Sequence, residues 1–267
     1  MKKLYLLLLL PILLTKTVSA QPDKAYYLEK YYLDVPALQI PEFLEMHKQF
    51  TDASMKSEKR TLVGHYVARH MFAGKASIVM YDSFESLEDK QNDDLWGSLF
   101  EYASGMEDAD SVAFIEKAQT WFQLFLEGHT DEIRVLRPTG FGDTNWQSPG
   151  VIVNSYYSPK WANMGTFAGY WNELGVANEA CGHMVASRLS SHYSGSGTTI
   201  ETAYFYNSWD DFANDQKEIQ NCRAENIENL PELIQNYWSI AGEHWDEVYI
   251  PVGSVVNGVF ELSEHFN

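Results

Sequence analysis

Two glutamates stand in matching contexts. His129-Thr130-Asp131-Glu132-Ile133-Arg134-Val135 reads against His244-Trp245-Asp246-Glu247-Val248-Tyr249-Ile250. In an extended segment alternate side chains share a face. Glu132 and Arg134 then point one way and Ile133 and Val135 the other. In the second segment Glu247 and Tyr249 oppose Val248 and Ile250. A carboxylate against an apolar wall has its pKa raised and can act as a general base near neutral pH. The competing reading leaves both glutamates in water at strand ends, where most charged side chains lie. His70 and His192 form a second matched pair, each where a strand enters a turn. Histidine titrates near neutrality and can serve as a base or a ligand, or it can simply bond its own backbone. Glu132, Glu247, His70 and His192 are therefore the acid–base candidates. Arg134, Tyr249, Tyr156 and Tyr204 are the candidates for touching a bound molecule, since a tyrosine offers an apolar ring with a polar tip. Sheet core is the other place for such tyrosines.

Other chemistries find little support. The eight histidines include no His-x-x-x-His on a helix and no carboxylate–histidine cluster, so no metal is expected. His65 and His70 are five apart on one strand and face opposite sides. His129 and His244, each two residues before an aspartate, read as turn residues. Ser194-Gly195-Ser196-Gly197 lacks the Lys-Ser/Thr ending and following helix of a phosphate loop, and reads as a hairpin turn. No Gly-x-Ser-x-Gly elbow precedes a helix. No cofactor is called for.

The chain has 267 residues, 45% hydrophobic and 21% charged, with a net charge of −18. That balance is globular. The excess of acid argues against nucleic acid or an anionic membrane surface as partner. Lys2 and Lys3, an apolar run from Leu4 to Leu14, and Val18-Ser19-Ala20 together predict a signal peptide over residues 1–20. The run is too short for a membrane anchor. The expected location is periplasmic or secreted, with no stable membrane insertion after cleavage. Export would let Cys181 and Cys222 pair. Two buried free thiols are the alternative, and sequence does not choose between them.

The elements that must position these residues repeat. Tyr81-Asp82-Ser83-Phe84-Glu85-Ser86-Leu87 reads against Tyr206-Asn207-Ser208-Trp209-Asp210-Asp211-Phe212, and Tyr32-Leu33-Asp34-Val35-Pro36 against Ser155-Tyr156-Tyr157-Ser158-Pro159. Together with the two pairs above, these matches run in the same order, which argues for two copies of one unit. The expected division is 21–142 and 143–267. Each copy reads as strand, helix, strand, turn, strand, helices, strand, with Ser83 as a helix cap, a linker over 138–150 and a tail after Pro251 that either adds an edge strand or lies loose. The order β-α-β-β-α-β is ferredoxin-like. Its helices cover one sheet face, and the bare face of each copy must be buried. The predicted fold class is therefore α+β: two ferredoxin-like repeats whose antiparallel sheets face each other as an intramolecular barrel.

On these strand-turn-strand units the chain resembles the dimeric α+β barrel superfamily, which holds antibiotic-biosynthesis-type monooxygenases and NIPSNAP-like domains. The resemblance covers nearly all of residues 24–251 and is one of fold. It implies an exported barrel that binds a small apolar or aromatic molecule, or acts on one by cofactor-independent oxygenation or proton abstraction. The alternatives are a non-catalytic periplasmic binding module and a structural or interaction protein with a packed core. Haem, which related barrels accommodate, would take His70 or His192 as axial ligand.

Overall fold

The computed structural model describes residues 26–71, 76–126, 129–142 and 149–264. The expected signal peptide and the turn at 73–75 lie outside the described residues. The first copy runs β1 (Tyr26–Leu33), α1 (Ile40–Ser54), β2 (Gly64–His70), β3 (Ile78–Phe84), α2 (Leu87–Asn92), α3 (Leu95–Ala103), α4 (Asp108–Leu126) and β4 (Thr130–Phe141). The second runs β5 (Val151–Tyr157), α5 (Met164–Cys181), β6 (Ala186–Gly195), β7 (Ile200–Tyr206), α6 (Trp209–Asn226), α7 (Leu230–Ala241) and β8 (His244–Val256), followed by β9 (Val259–Leu262).

Each copy makes an antiparallel sheet, ordered β2-β3-β1-β4 and β6-β7-β5-β8. The sheets join along both edges. The last strand of each copy pairs with the second strand of the other, β4 with β6 and β8 with β2, so eight strands close into one barrel. Closure leaves no unpaired edge among the eight. The helices pack on the outer face of the barrel. That face carries Tyr31 and Leu33 against Phe43, Phe50 and Trp121 in the first copy, and Tyr157 against Phe167 and Tyr237 in the second.

α1 shows why these helices sit as they do. Ile40, Phe43, Leu44, His47, Phe50 and Thr51 are buried at helical spacing, and Pro41 stands in its first turn. α2 and α6 start alike: the Ser86 hydroxyl accepts from the Asp89 amide and the Ser208 hydroxyl from the Asp211 amide. Each serine thus satisfies an orphan donor of the first turn.

Two readings of the sequence are corrected by the fold, and a third, the tail left open between an edge strand and a loose segment, is resolved as a strand. Ser83 lies inside β3, and the cap is Ser86, so Ser86 rather than Ser83 corresponds to Ser208. The expected linker begins too early, because β4 continues through Pro138 to Phe141. Gly140 permits this with φ +111, where a Cβ would lie 2.1 Å from the Ser187 carbonyl oxygen. The tail is ordered: β9 folds back on β8 through an Asn257-Gly258 turn, both residues at positive φ, as a two-residue hairpin requires. Phe260 then buries itself in the first copy's core beside α1.

Cys181, at the end of α5, is bonded to Cys222 in α6. No helix among the described residues is long and apolar enough to cross a membrane.

Candidate functional site

Inside the barrel, strand alternation brings charged and phenolic side chains together from both copies. β1 contributes Lys30 and Tyr32, β4 Glu132 and Arg134, β5 Asn154 and Tyr156, β7 Glu201, and β8 Glu247 and Tyr249. Register fixes the correspondence between the copies. Lys30 stands opposite Glu132 as Asn154 stands opposite Glu247, and Leu28 opposite Arg134 as Ile152 opposite Tyr249. His70 faces Tyr249 across one seam as His192 faces Arg134 across the other.

The two copies use these places differently. Arg134 Nη1 donates to Glu132 Oε2 at 2.7 Å, Nε donates to the Ser190 hydroxyl at 2.8 Å, and Nη1 reaches the Thr198 carbonyl at 3.2 Å. Tyr32 donates to the other Glu132 oxygen at 2.9 Å. Burial alone would lower the Arg134 pKa, but Glu201 and Glu132 beside it outweigh that and push it up. Glu132 and Arg134 are both 1% exposed, so this pair is sealed. Gly197 closes over it. A Cβ there would fall 1.9 Å from Glu132 Oε2, and its φ is +139.

A second buried pair lies beside the first. Lys30 Nζ donates to Glu201 Oε1 at 2.7 Å and to the Tyr156 hydroxyl at 3.1 Å. The same ammonium lies 4.7, 5.1 and 5.0 Å from the ring centres of Tyr32, Tyr81 and Tyr156, within cation–π range.

The second copy's carboxylate has a different neighbourhood. Glu247 is only partly buried and accepts a hydrogen bond from the Tyr249 hydroxyl. Tyr249 in turn meets the Tyr156 hydroxyl at 3.2 Å. Burial, then the Glu247 charge, push the Tyr249 hydroxyl far above its usual range, so it remains a donor. Glu247 opens onto a cavity of about 850 Å³ at the end of the barrel where β4 and β8 begin. Tyr32, His70, Tyr156, Glu243, Trp245 and Tyr249 are among its walls. A separate pocket of about 30 Å³ is lined by Leu28, Tyr66, Leu136 and Arg188, among others.

The candidates named from sequence therefore separate. Glu247, His70, Tyr156 and Tyr249 line the cavity. Glu132 and Arg134 are inside the barrel as alternation predicts, but locked in an ion pair. His192 bends back onto its own hairpin, its Nε2 3.1 Å from the Gly195 carbonyl oxygen. Tyr204 is corrected: it points out under the helices, where Trp171 Nε1 donates to its hydroxyl at 2.7 Å. The inward residues of β7 are Glu201 and Ala203, which alternate with it along the strand.

Sequence reading passed over Lys30 and Glu201. The signal was present, since Lys30 shares a face with Tyr32 in a tyrosine-rich strand. It also passed over a relay on the helix side of the first sheet. There His47 Nε2 lies 2.8 Å from His65 Nε2, and His65 Nδ1 lies 2.5 Å from Asp82 Oδ1. No spacing in the sequence links α1 to β2, so only the fold brings these together.

Haem does not fit the cavity. Its propionates are anionic, and the carboxylates of Glu243 and Glu247 stand in the walls, with no lysine or arginine among the described lining residues. No group of three His, Cys, Asp or Glu among the described residues is placed to hold a metal ion.

No protein-family profile and no curated protein matches the chain. Solved structures do. An anthrone oxidase-like protein superposes with a TM-score of 0.58 at 10% identity, over 89% of this chain and 95% of that one. Two proteins named "Putative monooxygenase" follow the same path. The one from Fusobacterium nucleatum gives 0.55 at 10% identity, over 91% of this chain and 99% of its own. The one from Lactobacillus acidophilus gives 0.54 at 11% identity, over 90% and 100%. At such identities the likeness is one of fold. The chain has the dimeric α+β barrel fold shared with these monooxygenase-like proteins, with both halves carried on one polypeptide.

Proposed function

We propose that this chain is an exported barrel with a single working site, in the second copy, that binds a small aromatic or apolar molecule and removes a proton from it. The observation that carries this is the asymmetry of Glu132 and Glu247. Only Glu247 faces open space, and its hydrogen-bond partner is a neutral phenol rather than a guanidinium. No side-chain cation among the described residues holds the Glu247 carboxylate, so it is open to accept a proton from a bound molecule, and the Tyr249–Tyr156 chain can reorient as the proton arrives. Trp245, stacked on Tyr156 with ring centres 5.1 Å apart, offers a flat apolar wall. The fold's appearance in monooxygenase-like proteins agrees with small-molecule chemistry. Export is supported by the signal-like N-terminus and by the Cys181–Cys222 bond, which persists in oxidising compartments.

The test uses exchange rather than oxidation. Small aromatic carbon acids are screened for binding by quenching of tryptophan fluorescence. Those that bind are then followed by NMR in deuterated water. The wild-type chain should speed exchange of the acidic C–H, and Glu247→Gln should bind but lose that exchange. Binding without exchange in the wild type would leave a carrier protein, and exchange unchanged in Glu247→Gln would remove Glu247 as the base.

A further inference from the structure

Two carboxylates, Glu247 and Glu243, stand in the cavity wall with no lysine or arginine among the described lining residues. Lys30 is matched by Glu201 and Arg134 by Glu132. Glu247 has no cationic partner among the described residues, and neither has Glu243 at the mouth. His70 is the one basic side chain among the described lining residues.

The internal symmetry says what is missing. In the first copy the carboxylate at this position holds a guanidinium, because Arg134 follows two residues on. In the second copy Tyr249 takes the place of that arginine. The hydroxyl keeps a hydrogen bond to the carboxylate and drops the positive charge. What lies beyond, among the described residues, is open volume.

The walls suit a cation in a second way. Trp245 and Tyr156 stack at an interplanar angle of 16°, and Tyr32 and Tyr249 stand nearby. Aromatic faces attract ammonium groups. This chain already uses the chemistry once, since the Lys30 ammonium lies over Tyr32, Tyr81 and Tyr156. At long range a net charge of −18 draws cations and repels anions.

We infer that the cavity takes an organic cation: an ammonium group drawn to the acidic wall that carries Glu247 and Glu243, on an aromatic or apolar body that lies against Trp245. The inference rests on the barrel being a small-molecule site and names the charge of what enters it. A positive charge on the ligand also stabilises the carbanion left when a neighbouring C–H loses its proton.

The experiment is a titration of the disulfide-bonded full chain with three probes of nearly one shape: benzylammonium, benzyl alcohol and benzoate. Binding is read by tryptophan quenching and by calorimetry at low salt and neutral pH. Benzylammonium should bind at least ten-fold more tightly than benzyl alcohol, and the preference should shrink as salt is raised. Benzoate should bind weakest. Glu243→Gln changes an exposed side chain and leaves the fold intact; it should cut the preference several-fold. The double change of Glu243 and Glu247 to Gln should bring ammonium and alcohol within about two-fold. Equal binding of alcohol and ammonium in the wild type would overturn the cation while leaving the small-molecule site standing. Failure of all three probes at millimolar concentration would remove both readings.

Discussion

Glu132 and Glu247 occupy one and the same place in the two halves of the barrel, yet only one of them is free. Glu132 is clamped by Arg134 at 2.7 Å and roofed by Gly197, while Glu247 meets the Tyr249 hydroxyl and open space. The Arg134–Glu132 pair ties β4 to the β6–β7 hairpin through Ser190 and Thr198, while Glu247 borders the cavity. Glu247 lines a cavity of about 850 Å³, whereas Glu132 is 1% exposed.

The two carboxylates should therefore respond differently to the same change. Arg134→Ala leaves Glu132 charged and buried with its partner gone, and removing one member of a buried pair costs about 3–5 kcal/mol. Glu132→Gln should also be costly, because Arg134 is then the stranded charge. Glu247→Gln removes no ion pair and should cost at most about 1 kcal/mol. Urea unfolding of the three variants measures the contrast. Equal losses would mean that Glu247 is as structural as its counterpart.

Much of this arrangement was legible in the residues themselves. Period-two alternation alone places Glu132, Arg134, Glu247 and Tyr249 on the inner face, and the matched segments around His70 and His192 give the correct structural correspondence. The register around Tyr81 and Tyr206 misleads, because serines recur three residues apart in the first copy: Ser83 is in the strand and Ser86 is the cap. Tyr204 misleads for a related reason. Tyrosine suits both faces of a sheet, and type alone does not say which face it takes. Pro138 and Gly140 look like linker, but a strand at an irregular seam tolerates both. What sequence lacked was the identity of partners across the barrel, such as Lys30 with Glu201, 171 residues apart.

The His47–His65–Asp82 relay predicts a pH dependence of stability. Burial among Phe43, Trp121 and Phe260, then positive charge at His65 and Arg60, hold the His47 pKa well below its usual value. Asp82 bonds His65, and Asp93 bonds Arg60, so neither carboxylate contacts His47 directly. Folded His47 stays neutral where an unfolded histidine takes up a proton, near pH ~6.5. Below that pH the unfolded state binds more protons, so stability falls as pH falls, by up to about 1.4 kcal/mol per pH unit until folded His47 itself titrates. His47→Gln keeps a hydrogen-bonding group toward His65 and removes the titration. Melting curves between about pH 7.5 and 5 should show a shallower decline for the variant. Parallel curves would assign the acid sensitivity to other groups.

The Cys181–Cys222 bond closes a loop with a sequence separation of 41 residues and holds α5 against α6. The chain-entropy treatment gives roughly 4 kcal/mol for such a loop. Paired Cys181→Ser and Cys222→Ser changes should lower stability by about 2–4 kcal/mol without altering the barrel. Intact mass with and without reductant, followed by unfolding of each form, checks both the bond and its worth. A loss confined below about 0.5 kcal/mol would show that α5 and α6 are already held by packing alone.

Gly197 sets the last test, because it touches both the sealed pair and the open site. It lines the cavity and lies over Glu132. Gly197→Ala faces two obstacles: a φ of +139 that L-residues rarely adopt, and a Cβ that would sit 1.9 Å from Glu132 Oε2. The strained backbone alone costs of order 1–3 kcal/mol. To make room, the Glu132 carboxylate must turn from Arg134 or the hairpin must lift, and either movement widens the cavity beside Tyr32. Gly195→Ala is the control, since it strains the same hairpin at φ +88 but meets the backbone of Asp131 and Glu132 rather than the carboxylate. Both variants should lose stability. Only Gly197→Ala should also change benzylammonium binding, because it disturbs a residue that lines the cavity and the carboxylate beneath it. Unchanged binding in a destabilised Gly197→Ala chain would show that the first copy's ion pair and the second copy's cavity are independent.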